Sequence, residues 1–160
     1  MNERNYIGQR LSALVGLDLS GVSYAADMLT LQFGPIREAP SRRGTIRHIG
    51  LWALHVQCHW RFEKDGRVLA SYANFAISED SIRETTQRMS EWIISSGPTR
   101  VESVAVDERA DMALSLSRGF RLIVVPDCVE GDEDWRFFAP GTNGPHLVIE
   151  GGKIEPSSLS

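Results

Sequence analysis

Apolar and polar residues alternate with a period of two along most of this chain, which is the mark of half-buried strands. Two stretches instead show the three-to-four spacing of a helix. The first is residues 4–15, where Ile7, Leu11, Leu14 and Val15 share a face and Gly16 is placed to end the turn. The second covers about 79–96. There Ser81 and Glu84 have capping-box spacing, Ile82, Met89, Trp92 and Ile93 form one stripe, and Gly97-Pro98 stops the run.

Strands fill the rest. Leu17 to Tyr24 alternates, Ala25-Ala26-Asp27 reads as a turn, and Leu29, Leu31 and Phe33 form the next inward row. Gly34, Pro35, Pro40 and Gly44 mark 34–48 as a loop. Residues 51–62 read as one strand, with Leu54, Val56, Cys58, Trp60 and Phe62 on one face and His55, Gln57, His59 and Arg61 on the other. Lys64-Asp65-Gly66 supplies hairpin chemistry, and 67–75 returns as the partner strand. Further strands are predicted near 101–107, 111–117, 120–126, 134–138 and 146–150, with Asn143-Gly144 turning between the last two. Residues 156–160 read as a flexible tail.

Landmarks recur in order. Ala26-Asp27-Met28, Leu29, Leu31, Gly34, Cys58 and Trp60-Arg61-Phe62 are followed by Ala110-Asp111-Met112, Leu114, Leu116, Gly119, Cys128 and Trp135-Arg136-Phe137. Alternation alone makes Leu-x-Leu recur, but the rarer triplets suggest duplication at about 75–85 residues, longer than a solenoid repeat. Short turns between sequential strands imply antiparallel pairing. The expected fold class is α+β: a mostly antiparallel sheet built from two similar β-meander units, with an N-terminal helix and a connecting helix. The expected organisation is a single domain over 1–155, with unit one about 17–75, the connecting helix about 79–96 and unit two about 99–154.

Composition narrows the function classes. With 42% apolar and 24% charged residues and a net charge of −4, the chain is an ordinary globular sequence without bulk attraction to nucleic acid or anionic membranes. Met1-Asn2-Glu3-Arg4-Asn5 lacks an apolar core, no run approaches a membrane span, and two cysteines make no disulfide scaffold. A reduced, cytoplasmic setting is expected.

His55, Cys58 and His59 are metal-ligand types, but a regular strand turns Cys58 away and separates the histidines by about 13 Å. No metal and no cofactor is expected. Cys58 and Cys128 read as apolar-like thiols; a Cys–His pair with His48, His59 or His146 lacks an activating environment. Two loops carry opposite charge: Arg37, Arg42, Arg43, Arg47 and His48 against Asp127, Glu130, Asp132, Glu133 and Asp134. They read either as solvated loops or as a partner surface. Trp60-Arg61 and Trp135-Arg136 place a tryptophan in the core and an arginine on the opposite face.

The stretch Leu54-His55-Val56-Gln57-Cys58-His59-Trp60-Arg61 resembles a strand motif, Leu-x-x-Gln-Cys-x-Trp-Arg, of small bacterial proteins that share a domain of unknown function. Those proteins tend to carry an acidic turn before a Trp-Arg strand, as Glu133-Asp134-Trp135-Arg136 does here. This chain has His59 where that pattern prefers proline. The resemblance implies no catalytic residue. By analogy of class it associates the chain with immunity proteins of bacterial toxin systems.

The leading expectation is therefore a non-catalytic protein-binding protein, possible partner residues being Asp127, Glu130, Asp132, Glu133, Asp134, Arg42, Arg43 and Arg47. One alternative is a small-ligand sensor or enzyme at the junction of the two units, with His55, Gln57, His59 and Arg61 lining a wall. The other is a homo-oligomeric module, such as a homodimer, that covers open sheet edges.

Overall fold

The computed structural model describes residues 2–159; Ser160, the end of the predicted tail, lies outside the described residues, as does Met1. Helix α1 (Glu3–Leu11) is capped by Asn2, whose side chain accepts from the Asn5 amide. It tightens into a 3-10 turn at Ser12–Leu14 and buries Ile7, Leu11 and Leu14, while Val15 stays exposed.

Strands β1 (Leu19–Ala25) and β2 (Met28–Phe33) follow as a hairpin, with Leu29, Leu31 and Phe33 fully buried. The segment expected to be a plain loop folds into a separate hairpin, β3 (Arg37–Pro40) and β4 (Ile46–Ile49). Ser41 and Thr45 close its turn, Ser41 N donating to Thr45 O at 2.8 Å.

The predicted strand at 51–62 is two strands in two different sheets. β5 (Trp52–Val56) ends, the chain crosses at Gln57 and Cys58, and β6 (His59–Lys64) begins in the other sheet. The buried row Leu54, Val56, Cys58, Trp60 and Phe62 runs unbroken through the crossing. Asp65 and Gly66, both left-handed, turn the chain into β7 (Arg67–Ser71). Residues 72–75, expected to continue this strand, form the short helix α2 (Tyr72–Phe75).

Helix α3 (Glu79–Ser90) is capped by Ser78, whose hydroxyl accepts from Ser81 N at 3.1 Å. Ser81 is therefore inside the helix and not its cap; its hydroxyl donates to Asn74 O at 2.6 Å. A π turn at Glu91–Ser95 extends the helix, and Ile82, Met89 and Ile93 are its buried stripe.

Unit two contributes β8 (Val101–Val106), β9 (Met112–Leu116), β10 (Phe120–Val125), β11 (Glu133–Phe138), β12 (Leu147–Glu150) and a short β13 (Lys153–Ile154). The turn before β12 is made around Pro140 and Gly141, not at Asn143-Gly144. The predicted tail packs: Pro156–Leu159 is a 3-10 turn, and the buried Ser158 hydroxyl accepts from Val148 N at 2.9 Å.

All pairings are antiparallel, in a first sheet ordered β1-β2-β5-β11-β12-β13 and a second ordered β7-β6-β10-β9-β8. The fold is thus α+β with two similar units, and the units exchange parts. Each sheet joins a three-stranded meander from one half (β1-β2-β5 or β8-β9-β10) to a hairpin from the other (β11-β12 or β6-β7). The helices cross over in the same way: α1 packs on β8 and α3 on β1. One continuous core lies beneath both sheets.

Register gives the correspondence between halves. Trp60 faces Val124, which faces Met112; Trp135 faces Val56, which faces Leu29. Leu29, Leu31 and Phe33 therefore match Met112, Leu114 and Leu116, and the Ala-Asp-Met triplets lie one residue out of step. Trp60 and Trp135 hold matching central places, both buried, each with an indole N–H that has no partner among the described residues. Truncating either to alanine is worth about 3–5 kcal/mol in lost packing.

Candidate functional site

The two crossings between sheets are unequal. In unit one Gln57 and Cys58 suffice; in unit two the chain runs through residues 126–132 before β11 starts. This longer loop carries the acidic residues, and Asp134 fixes it. The pairing of β11 shifts between Glu133 and Trp135, which leaves Asp134 as a bulge. Its carbonyl accepts from Gln57 N at 2.8 Å and Cys58 N at 3.2 Å, so it holds the opposite crossing as well.

The Asp134 side chain is 1% exposed. One carboxylate oxygen accepts from Asp127 N at 2.9 Å and the other from Gly152 N at 2.7 Å. The loop is therefore tied at its base to the β12–β13 turn. Gly152 is left-handed, and a Cβ there would lie 2.6 Å from the Cys128 sulfur, so the turn requires glycine.

Above this base, Val129, Glu130 and Asp132 are exposed, Val129 by 51%. A polar depression of about 220 Å³ lies beside them, lined by Gln57, Asp127, Asp132 and Glu133 among others. Glu130 and Asp132 make no ion pair among the described residues. Asp127 accepts from the His59 ring, which also packs on Tyr72. Glu133 is held by Arg136, whose Nη2 donates at 2.6 Å, and by Gln57 Nε2 at 2.9 Å. The five acidic residues thus separate by role. Glu130 and Asp132 face outward, Asp127 is shared with His59, Glu133 is used within the fold, and Asp134 is internal and unavailable to a partner.

The basic residues lie elsewhere. Arg42, Arg43 and Arg47 are exposed on the β3–β4 hairpin. Arg37 of the same hairpin donates to Pro140 O at 3.2 Å, beyond the far end of β11. Glu133 and Phe138 are separated by about 17 Å of strand at ~3.4 Å per residue, so the two charged loops form no common face.

The four residues expected to line one wall do not share a face: Gln57 sits in the crossing, and the other three divide between the sheets. His59 and Arg61 lie on the outer face of the second sheet, where Arg61 Nε donates to Glu63 at 2.8 Å. His55 lies on the outer face of the first sheet, opposite Arg136. There the β5–β11 pairing builds a cluster not anticipated from sequence. His55 stands edge-on to Phe138, Phe138 stacks on His146, and Arg136 Nη1 donates to His146 Nδ1 at 2.9 Å. An accepting Nδ1 makes His146 a neutral ring with its proton on Nε2. Burial and the Arg136 charge hold both His55 and His146 below the ordinary histidine value.

Cys58 is buried, and burial with the nearby Asp134 and Asp127 charges pushes its thiol far above the usual range, which removes thiolate chemistry at neutral pH. Among the described residues no three metal-ligating side chains converge, and no helix is long and apolar enough to cross a membrane. Comparison with protein-family models, with curated proteins and with solved structures gives no match.

Proposed function

We propose that this chain is a binding protein that docks a basic protein surface through the loop at 126–132, in the manner of a toxin-neutralising immunity protein. The observation that supports it is the construction of the loop. A buried carboxylate fixes its base, and its tip presents Glu130 and Asp132 around an exposed valine. Outward carboxylates that make no ion pair among the described residues give charge complementarity to Lys- or Arg-rich surfaces and speed encounter. An apolar residue inside a polar rim is the usual form of an interface anchor. Preorganisation lowers the ordering cost of docking.

The test is capture of partners from the native host by the wild-type chain and by a Glu130→Lys/Asp132→Lys variant. Capture that falls with added salt and is lost in the variant supports the reading. Capture that survives the double reversal refutes it. Asp134 and Glu133 are left intact because both carboxylates are bonded within the fold.

A further inference from the structure

The exchange of hairpins makes the outer faces of the two sheets comparable position by position. Across the first sheet one row reads Ser23, Thr30, His55, Arg136; across the second the matching row reads Ala105, Ala113, Ile123, Arg61. The first row is closed: the Ser23 and Thr30 hydroxyls bond each other, His55 packs on Phe138, and Arg136 is held by Glu133 and His146. In the second row two side chains are cut to alanine. A depression of about 310 Å³ results, floored by Ala105, Ala113 and Ile123.

Its ends carry opposite charge. At one end stands Arg121, which makes no ion pair among the described residues. At the other stand Asp107 and Asp111, on a turn fixed by Asp107 Oδ1, which accepts from Arg109 N at 2.8 Å and Asp111 N at 3.0 Å. Arg61, the only lining residue from unit one among the described residues, is paired with Glu63. Asp111 directly precedes β9, the strand that brings Ser115 opposite Arg121, so the charged ends are about 13 Å apart at ~3.3 Å per residue. An extended tripeptide covers about 10 Å, and side-chain reach closes the difference.

We propose that this depression binds a short apolar peptide with both termini free, its carboxylate on Arg121, its ammonium on Asp107 and Asp111, and its side chains on the alanine and isoleucine floor. Each part of the ligand meets its chemical complement, and the site belongs to both units, since β6 supplies Arg61 and β8 to β10 supply the rest. The carboxyl of Asp111 is raised by burial and by the neighbouring Asp107, against the weaker opposing charges of Arg109 and Arg61, so an arriving cation is favoured there. The site is independent of the acidic loop and of the role proposed for it.

The experiment is a methyl NMR titration of the full chain with trialanine, N-acetyl-trialanine and trialaninamide. Trialanine is expected to shift the Ala105, Ala113 and Ile123 methyls. Blocking either terminus is expected to weaken binding by about tenfold or more, the loss of one charge-assisted contact. Arg121→Gln should erase the preference for trialanine over trialaninamide, and Asp111→Asn the preference over the acetylated peptide. Absence of shifts at these methyls, equal affinity for all three peptides, or preferences unchanged in both variants would each overturn the proposal.

Discussion

Asp134→Ala is the perturbation that most of the architecture around the loop should feel. The aspartate carboxylate accepts two backbone amides from distant parts of the chain, at 2.9 and 2.7 Å, in a position 1% exposed. Alanine takes the acceptor from both part-buried amides, and each such group costs about 1–3 kcal/mol, the lower end applying where water reaches the amide. The sum is roughly 2–3 kcal/mol, or about 4–12 °C in Tm at ~2–4 °C per kcal/mol for a chain of this size. Asp134→Asn keeps one accepting oxygen and turns an NH2 toward the other amide, so about half the loss is expected. Urea unfolding followed by tryptophan fluorescence measures it, with the denaturant slope unchanged if the native fold persists. Glu130→Ala, at the exposed tip, should stay within about 0.5 kcal/mol of wild type. A loss under about 1 kcal/mol for Asp134→Ala would refute the role given to its carboxylate.

Other outcomes follow from the same geometry. In the folded chain His55 and His146 bind protons less readily than in the unfolded one, whose histidines titrate near 6.5. Below about pH 6.5 the unfolded state therefore holds more protons, and stability falls with pH until the folded values are passed. His55→Gln with His146→Gln should flatten that part of a stability–pH curve; an unchanged slope would contradict the assignment. A disulfide-exchange reagent should titrate the exposed Cys128 quickly in the native protein and Cys58 only on unfolding. Ser158→Ala should cost about 1–2 kcal/mol, because Val148 N then lacks its acceptor, and no loss in chemical denaturation would argue that the C-terminal turn is not docked.

The inward rows were legible because their cause is local. Leu29, Leu31 and Phe33, or Leu122 and Val124, are buried as alternation requires, and the Asp65-Gly66 turn follows from left-handed backbone. The crossing at Gln57 and Cys58 was hidden for a physical reason. The inward parity continues through it, and what bends the strand is the carbonyl of Asp134, far along the chain. For the same reason the wall of His55, Gln57, His59 and Arg61 could not be seen to divide. Ser78 and Ser81 both suit a helix start, and the choice rests on Ser81 bonding back to Asn74. In the acidic loop the charges were visible from sequence, but nothing local tells Asp134, turned inward, from Asp132, turned out. The Arg136–His146 contact depends on pairing across a long loop and leaves no local signal.

The exchange of hairpins underlies the loop, the histidine cluster and the depression alike, and one measurement reaches it directly. Backbone NOEs in a uniformly labelled sample should connect Trp135 to Val56 and Trp60 to Val124, each pair joining the two halves of the chain. Their presence in both places is the expected result. Contacts of Trp135 and Trp60 confined to strands of their own halves would contradict it.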